Sequence, residues 1–169
     1  WHQGLRTWLQ GDMFPARLNI GFRTCASYDL VDEFGVEGGG LSSFLTVYET
    51  DNLGVLYSKP YQKLRSNRDP RDAAFHKRFK NLDRYTLSWV GPEITNSKQR
   101  FAPYVFVDRF NLHPKHIHKF NSWLVDDYFE SCDRISGLLR LRRFVAIEGS
   151  FSSFLFHEFE DLSVLNDRN

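Results

Sequence analysis

Acid–base chemistry is the first activity that the side chains suggest, and the segment Phe156-His157-Glu158 is its centre. Its composition predicts a β-strand, in which neighbouring residues point to opposite faces of the sheet. One of His157 and Glu158 is therefore expected to face an enclosed cavity. If it is His157, an imidazole in an apolar pocket is a candidate general base, because its pKa lies close to neutrality. The alternative is a histidine that is hydrogen-bonded in the core or under a helix.

Two arginines form a second candidate group. Arg140 and Arg142 alternate with leucines in a predicted strand, so both arginines share one face of it. A guanidinium inside a cavity needs an anionic partner, because an unpaired buried charge is very costly. A substrate carboxylate or enolate, held by two parallel hydrogen bonds, is one such partner. The alternative is a pair of arginines at a cavity rim, ion-paired with Glu158 or Asp108.

A predicted helix ends with two further candidates, Asp127 and Tyr128. An acid such as Asp127 can orient a base or act as one, and it has a counterpart, Asp12, in a repeat described below. Tyr128 could donate a proton to a carbonyl oxygen, and Tyr28 could do the same from a strand. Met13, at the position that corresponds to Tyr128, can only shape a pocket, since its side chain is soft and apolar. Packing is the alternative role for each of them.

Metal and nucleotide chemistry are disfavoured by spacing. His113, His116 and His118 are three and two residues apart at a predicted loop-to-helix junction, whereas imidazoles that share a metal commonly lie at positions i and i+4 of one helix. Gly-x-Gly-x-x-Gly, phosphate-loop and Gly-x-Ser-x-Gly motifs are absent from the sequence. The run 38–40 of three glycines precedes a strand and is expected to form a loop. We therefore predict neither a cofactor nor a metal.

The elements that must position these residues occur twice along the chain. Trp8 and Trp123 lie 115 residues apart, and the Ser-Ser-Phe-Leu runs at 42–45 and 152–155 lie 110 residues apart. A repeat of this length indicates one folding unit that is used twice and packed on itself. Hydrophobic spacing predicts helices at 4–14, 71–80 and 116–130, a helix near Val55 that Pro60 interrupts or restarts, and a helix from Leu162. It predicts strands at 22–30, 43–50, 82–90, 104–108, 138–147 and 151–159.

This order predicts an α+β protein of two ferredoxin-like β-α-β-β-α-β repeats. The first repeat is expected at residues 1–90 without its opening strand, and the second at 103–169 without its C-terminal end, joined by a linker at 91–102. A sheet covered by helices on one face leaves its other face bare. Packing the two repeats sheet to sheet would bury those faces and give a pseudo-dimeric α+β barrel with a cavity.

Composition narrows the choice of partner. Aromatic residues make up 16% of the chain, including sixteen phenylalanines, which suits a large apolar core or pocket. The net charge is +1 without a basic block, so nucleic acid is not an expected partner. No apolar run approaches the ~20 residues that a membrane span needs. Two cysteines at non-equivalent repeat positions, Cys25 and Cys132, favour a reduced, cytoplasmic protein.

The chain resembles the EthD-like proteins of the dimeric α+β barrel superfamily, in a tandem form. The first helix of those proteins carries a Trp, an acid four residues on, a His five on and a Pro seven on. Trp8, Asp12 and Pro15 match this pattern, as do Trp123 and Asp127 in the second copy. The segments 44–49 and 58–61 look like the family's strand-to-helix region. The family's histidine position holds a methionine in the first copy and a tyrosine in the second.

The resemblance implies a small hydrophobic carbonyl or phenolic substrate, since the superfamily includes cofactor-free decarboxylases, dehydratases, cyclases and oxygenases of polyketide-type intermediates. We therefore expect a cofactor-independent tailoring enzyme, with a cyclase as the first candidate and a decarboxylase or dehydratase next. A binding or carrier protein, or an oxygen-using barrel, is the alternative, and further homodimerisation stays open. The expected catalytic residues are His157, Tyr128, Asp127 and Arg142, and the expected substrate-binding residues are Met13, Tyr28, Tyr48, Trp89, Tyr104, Phe106, Arg140 and Phe156.

Overall fold

The chain folds as a mixed α+β protein with one two-stranded and one four-stranded antiparallel sheet among the described residues. The computed structural model describes residues 2–31, 43–97 and 101–165. The expected loop at 32–40, with its three glycines, lies outside this part of the chain. The protein divides into two compact units, Trp1–Leu82 and Asp83–Asn169, called here the first and the second unit.

The first unit begins with a helix whose middle turn is widened. Helix α1 (His2–Trp8), a π-helical turn (Leu9–Met13) and helix α2 (Phe14–Leu18) run on without a break, and together they form the first long helix. Strands β1 (Phe22–Asp29) and β2 (Phe44–Thr50) form an antiparallel pair. The short helices α3 (Gly54–Tyr57), α4 (Lys59–Ser66) and α5 (Pro70–His76) follow.

Capping side chains explain where these short helices begin. Ser58 accepts a hydrogen bond from the backbone N–H of Tyr61, and Pro60 lies in the first turn of α4, where a missing N–H costs nothing. Pro60 therefore restarts the helix, which is one of the two alternatives that the sequence leaves open. Asp69 accepts the N–H of Arg71 at 2.8 Å and starts α5 in the same way. Helix α5 ends at His76, four residues before the predicted end.

The second unit repeats the order of helix, strand and strand. Strand β3 (Thr86–Thr95) and strand β4 (Tyr104–Phe110) precede a 3₁₀ turn (Pro114–His116). Helix α6 (Ile117–Trp123), a second π-helical turn (Leu124–Tyr128) and helix α7 (Phe129–Asp133) form the second long helix. Strands β5 (Leu138–Glu148) and β6 (Ser153–Phe159) follow, and the sheet order is β3-β5-β6-β4.

A hydrophobic core lies between this sheet and the second long helix. It consists of the buried residues Ile94, Leu124, Phe129, Cys132, Leu138, Leu141, Leu155 and Phe159. The helix starts at the histidine cluster, where the Nδ1 atom of His113 accepts a hydrogen bond from the backbone N–H of Lys115 at 3.3 Å. His113 thus caps the helix start, which agrees with the predicted loop-to-helix junction. The helix expected from Leu162 is a 3₁₀ turn, Leu162–Leu165, in the described residues.

Strand β3 extends beyond the end that the sequence predicts. The sequence places the last strand of the first repeat at 82–90 and a linker at 91–102, but β3 continues to Thr95 and pairs with β5 of the second unit. The register shifts between Trp89 and Glu93, around Gly91 and Pro92. Proline is tolerated at such an irregularity and on an edge strand, because its missing N–H leaves no ladder bond unmade. The Gly-Pro pair therefore does not end the strand.

No helix among the described residues is both long and apolar enough to cross a lipid bilayer.

Candidate functional site

Strand β6 contains two titratable residues, and one of them faces the second long helix. All seven of its residues are buried, and His157 points toward the second long helix, where it meets Tyr128. Glu158 points to the opposite face of the sheet and is 1% exposed. His157 is thus a buried histidine under a helix, and its partners decide what chemistry it can do.

The π-helical turn places Tyr128 against the sheet. It spans Leu124–Tyr128, and the N–H of Phe129 donates to the carbonyl of Leu124, five residues earlier. Leu124 and Phe129 are both buried in the core, which fixes the rotation of the helix on either side. The extra residue of the wide turn brings Trp123 and Tyr128 together, with ring centroids 4.9 Å apart. Single π-turns inside α-helices are frequent at functional sites.

Tyr128, His157 and Asp108 form a line of polar atoms within this apolar core. The Oη atom of Tyr128 lies 2.8 Å from Nε2 of His157. The other ring nitrogen, Nδ1, lies 3.7 Å from Oδ2 of Asp108 on strand β4. Phe106 is the β4 residue directly opposite His157, so Asp108, two residues further, projects from the same face of the sheet.

Burial sets the protonation of this group. It lowers the pKa of His157 below its ordinary 6.5, although the Asp108 carboxylate pulls in the other direction. It raises the pKa of Asp108 above 3.8, against the influence of His157. Burial also raises the pKa of Tyr128, with Cys132 adding to the shift. At neutral pH we therefore assign a neutral imidazole that accepts the Tyr128 hydroxyl proton at Nε2 and carries its own proton on Nδ1, facing Asp108.

Cys132 extends the group by one helical turn. It is 5% exposed, and burial raises the pKa of its thiol, while hydrogen bonds with Tyr128 and Ser131 act in the opposite direction. A buried thiol with a raised pKa stays protonated and is a poor nucleophile. Cys132 therefore serves as a neutral neighbour that helps to hold the Tyr128 hydroxyl in place.

Aromatic rings surround the polar line, and its two ends reach solvent. Phe106 and Phe159 pack against the imidazole at centroid distances of 5.7 and 6.5 Å. The side chain of Asp108 is 39% exposed and Trp123 is 43% exposed, whereas His157 is 5% exposed. A molecule that reaches this site from solvent would therefore meet Tyr128, Trp123 or Asp108 before the imidazole.

The two arginines hold Glu158 on the other face of the sheet. The Nε atoms of Arg140 and Arg142 each donate to one carboxylate oxygen of Glu158 at 2.9 Å, and the terminal nitrogens of both guanidiniums bond to the same oxygens. This is the ion pair with Glu158 that the sequence offered as the alternative to a substrate contact. Each charge is buried and paired, as the cost of desolvation requires.

The predicted catalytic set therefore does not form one site. Tyr128 and His157 are in contact, but Arg142 lies on the opposite face of the sheet. The reason is strand alternation: Arg142 is opposite Phe156, and Phe156 and His157 point to different faces. Asp127 is exposed, because the π-turn directs Tyr128 to the core and the preceding residue to solvent.

The predicted substrate-binding residues of the second unit are divided in the same way. Tyr104 and Phe106 pack against the core on the His157 face. Phe156 and Arg140 lie on the other face, where Phe156 contacts Phe144 at 5.3 Å. Trp89, opposite Phe144 in the ladder, is 55% exposed. Only Tyr104 and Phe106 are thus placed to contribute to a site at His157.

The first unit contains a counterpart of the site with different chemistry. Its π-turn ends at Met13, and the hydroxyl of Tyr48 donates to Sδ of Met13 at 3.6 Å. Burial raises the pKa of Tyr48 and raises that of the neighbouring Cys25 to about 11. Tyr28, three residues after Cys25, projects from the other face of β1. Met13 and Tyr48 are therefore in contact, and Tyr28 is apart from them.

Two members of the site were missed as catalytic candidates. Asp108 was considered only as a partner for the arginines, although its spacing from Phe106 already places both on one face of a strand. Trp123 was read as a marker of the repeat. The signal for its role was the five-residue spacing to Tyr128, which a regular α-helix does not bring into contact and a π-turn does.

Comparisons of the chain with models of protein families, with curated proteins and with solved structures found no match.

Proposed function

We propose that the second unit carries the acid–base site of a cofactor-independent enzyme that acts on a small hydrophobic carbonyl or phenolic compound. The contact between Tyr128 Oη and His157 Nε2, at 2.8 Å, is the observation that carries this proposal. An acid–base group, a partner within hydrogen-bond reach and a third group that orients the partner are the usual parts of such a site. Asp108 takes the place of the third group: its Oδ2 lies 3.7 Å from Nδ1 of the imidazole, beyond hydrogen-bond distance, so it acts on His157 through its charge.

Tyr128 is the member that would touch the substrate, because His157 lies behind it. The phenol oxygen takes a proton from the substrate while its own proton passes to Nε2 of His157. Burial disfavours a free phenolate, so the two transfers must occur together. The imidazolium that results is opposed by burial and stabilised by Asp108. It therefore returns the proton readily through Tyr128 to the product.

Proton removal next to a carbonyl group is the first step of several reactions. It creates a carbon nucleophile that can close a ring by attack on a second carbonyl, and the returned proton then neutralises the new alkoxide. We favour this ring closure, with dehydration and decarboxylation as the alternatives. The resemblance to EthD-like proteins supports the same group of reactions, and we propose membership of that superfamily with its pseudo-dimeric α+β barrel. The helix, strand, strand order that recurs in both units supports this assignment.

Aromatic neighbours support a hydrophobic substrate. Trp123 packs on Tyr128, Phe120 packs on Trp123, and Phe106 lies beside the imidazole. A ring that is placed among them would be held by apolar contact, with its oxygen directed to the only buried phenol–imidazole pair in the described residues. Placement of this kind is itself a large part of catalysis when a ring must close in one conformation.

Deuterium exchange tests the proton transfer without knowledge of the natural substrate. Wild-type protein in D₂O is incubated with acetophenone, and the loss of the methyl signal is followed by proton NMR. We expect exchange that falls about 10²–10⁴-fold in Tyr128→Phe and in His157→Gln, the usual range for removing a positioned acid or base. Asp126→Asn, a change of a nearby exposed acid, should leave the rate as it is. Equal rates for the wild type and Tyr128→Phe would contradict the proposal.

Binding without chemistry is the second candidate, and the first unit favours it. Its Met13–Tyr48 pair holds a thioether and a phenol where the second unit has a phenol and an imidazole. If the protein is a carrier, aromatic ketones should bind both units and no deuterium exchange above background should occur. If Tyr128 and His157 transfer protons, deuterium exchange should occur and should depend on the second unit alone.

A further inference from the structure

An aromatic ring and an arginine cover one side of the first long helix. Phe75 stacks on Trp8 with ring centroids 5.1 Å apart and an angle of 30° between the planes, and Trp8 is 5% exposed. Arg71 donates from Nη1 to Oδ2 of Asp12 at 3.0 Å. Both covering residues belong to helix α5 and lie four residues apart, so they project from the same side of it.

The corresponding side of the second long helix is open. Trp123 and Asp127 occupy the places of Trp8 and Asp12 relative to the π-turn, at a constant separation of 115 residues. Trp123 is 43% exposed, and among the described residues its ring contacts come from Phe120 and Tyr128 of the same long helix. Asp127 is exposed and forms no ion pair with any residue in the described ranges.

We infer that the open surface formed by Trp123 and Asp127 binds a helix of a partner protein that carries an arginine and, four residues later, an aromatic residue. The first unit shows the geometry of such a contact, because α5 has this pattern in Arg71 and Phe75 and covers the matching pair. Helices commonly bind along an exposed groove or face through anchors at this spacing.

The charge and the exposed apolar area of this surface suit a partner helix of this kind. Asp126 and Asp127 are adjacent exposed carboxylates that would attract a basic helix. A half-exposed indole beside them offers a flat apolar surface to a ring, and tryptophan is the residue most often found at the energetic centre of protein interfaces. This surface shares Trp123 with the proposed substrate site, so a bound helix would also cover the approach to Tyr128. The two proposals are tested separately, because the protection of the indole is measured without a substrate.

A tethered helix provides the test. A second copy of residues 51–80 is attached through a flexible Gly/Ser linker after Asn169 of the full chain, because a tether raises the effective concentration to about the millimolar range. The indole N–H signal of Trp123 is identified by its disappearance in Trp123→Phe. We expect at least threefold slower solvent exchange and weaker acrylamide quenching for this indole once the helix is attached. The Trp8 signal should stay as it is, since the chain's own α5 covers it.

Matched variants locate the contact. Phe75→Ala in the attached copy should remove the protection, whereas Arg71→Ala in that copy or Asp127→Asn in the chain should reduce it, because an exposed ion pair contributes less than a buried ring. Asp126→Asn is the control for charge, because its neighbour holds the place of Asp12, and it should keep at least half of the protection. Each variant's unfolding transition is measured, so that a loss of fold is not read as a loss of contact.

Three outcomes would overturn the inference. One is an unprotected Trp123 in the tethered protein, and another is equal protection by the helix that lacks Phe75. The third is protection of Trp123 in the untethered chain that increases with protein concentration, since this would assign the surface to a second copy instead. A labelled peptide of residues 68–80, added to the untethered chain, should compete with the attached helix.

Discussion

The two units place the same backbone feature under different chemistry. In each, a long helix widens into a π-turn whose last residue meets the fifth of the seven residues of a buried or half-buried strand. In the first unit the meeting pair is Met13 and Tyr48, and in the second it is Tyr128 and His157. A thioether cannot exchange a proton, whereas a phenol on an imidazole can. The fold therefore supplies the position, and single side chains decide whether the position is reactive.

The largest effect is expected when the second unit receives the pair of the first. The double variant Tyr128→Met/His157→Tyr should lose about 10²–10⁴-fold of the deuterium exchange rate, because no group is left that takes a proton at neutral pH. Its fold should persist, since the same pair packs in the first unit. Exchange of acetophenone protons and the circular dichroism spectrum are measured together. Retained exchange in a folded double variant would remove the basis for the comparison.

The next largest effect is expected on the face of each sheet that points away from the long helix. Glu158 is held by two arginines, whereas Glu49, beside Tyr48 as Glu158 is beside His157, accepts a hydrogen bond from the Thr24 hydroxyl at 2.6 Å. Glu158→Ala leaves two arginines without their shared carboxylate and should reduce the free energy of unfolding by about 3–5 kcal/mol. Glu49→Ala should cost about 1.5–3 kcal/mol, the range for a hydrogen bond to a charged group. Urea unfolding of both variants measures the difference, and equal losses would contradict it.

The pH dependence of stability separates the two units further. The folded-state pKa of His157 lies below its ordinary 6.5, so the unfolded chain binds the proton first. The contribution of His157 is therefore complete above pH 6.5 and is lost as the pH falls through 6.5 toward the folded-state value, at about 1.4 kcal/mol for each unit of pKa difference. The raised pKa of Asp108 acts with the opposite sign.

Urea unfolding at pH 7 and pH 5.5 should thus show a smaller loss of stability in His157→Gln than in the wild type. His76 in the first unit, which is half-exposed and pairs with Asp72, provides the matched control variant His76→Gln. A wild-type loss that His157→Gln reproduces in full would assign the pH dependence to other groups.

The smallest effect concerns the paired and unpaired acids beside the π-turns. Asp12→Asn removes an ion pair with Arg71 at the surface and should lower the Tm slightly, because exposed pairs contribute little. Asp127→Asn should leave the Tm of the untethered chain within error. Thermal unfolding by circular dichroism at low salt measures both. A larger shift for Asp127→Asn than for Asp12→Asn would indicate a partner for Asp127 inside the chain.

Local pattern predicted most of the elements because each depends on nearby residues. The positions of β1, β2, β5 and β6 agree with the alternation of the sequence to within a few residues. The predicted end of β3 was wrong. Gly91 and Pro92 usually end a strand, but here the irregular pairing of an edge strand accommodates them. Whether a strand continues past such a pair depends on the strand beside it. The local sequence carries no information about that neighbour.

The alignment of the two repeats shows a further limit of prediction from sequence. The matching Ser-Ser-Phe-Leu runs lie 110 residues apart, which would equate Tyr48 with Glu158. The contacts with Met13 and Tyr128 instead equate Tyr48 with His157, 109 residues apart. Phe44 accordingly packs toward its helix, whereas Phe154 packs on Tyr85. A shift of one residue moves every side chain of a strand to the other face.

Sequence by itself determined the α+β composition, the duplication and the alternation that separates His157 from Glu158, because these follow from the periods of helices and strands. Tertiary structure alone decided that His157 faces the helix, that Tyr128 and Asp108 meet it, and that the arginines pair with Glu158. Those contacts join residues that lie far apart along the chain, and their geometry depends on a π-turn and a strand register. Both are set by how the buried residues pack together.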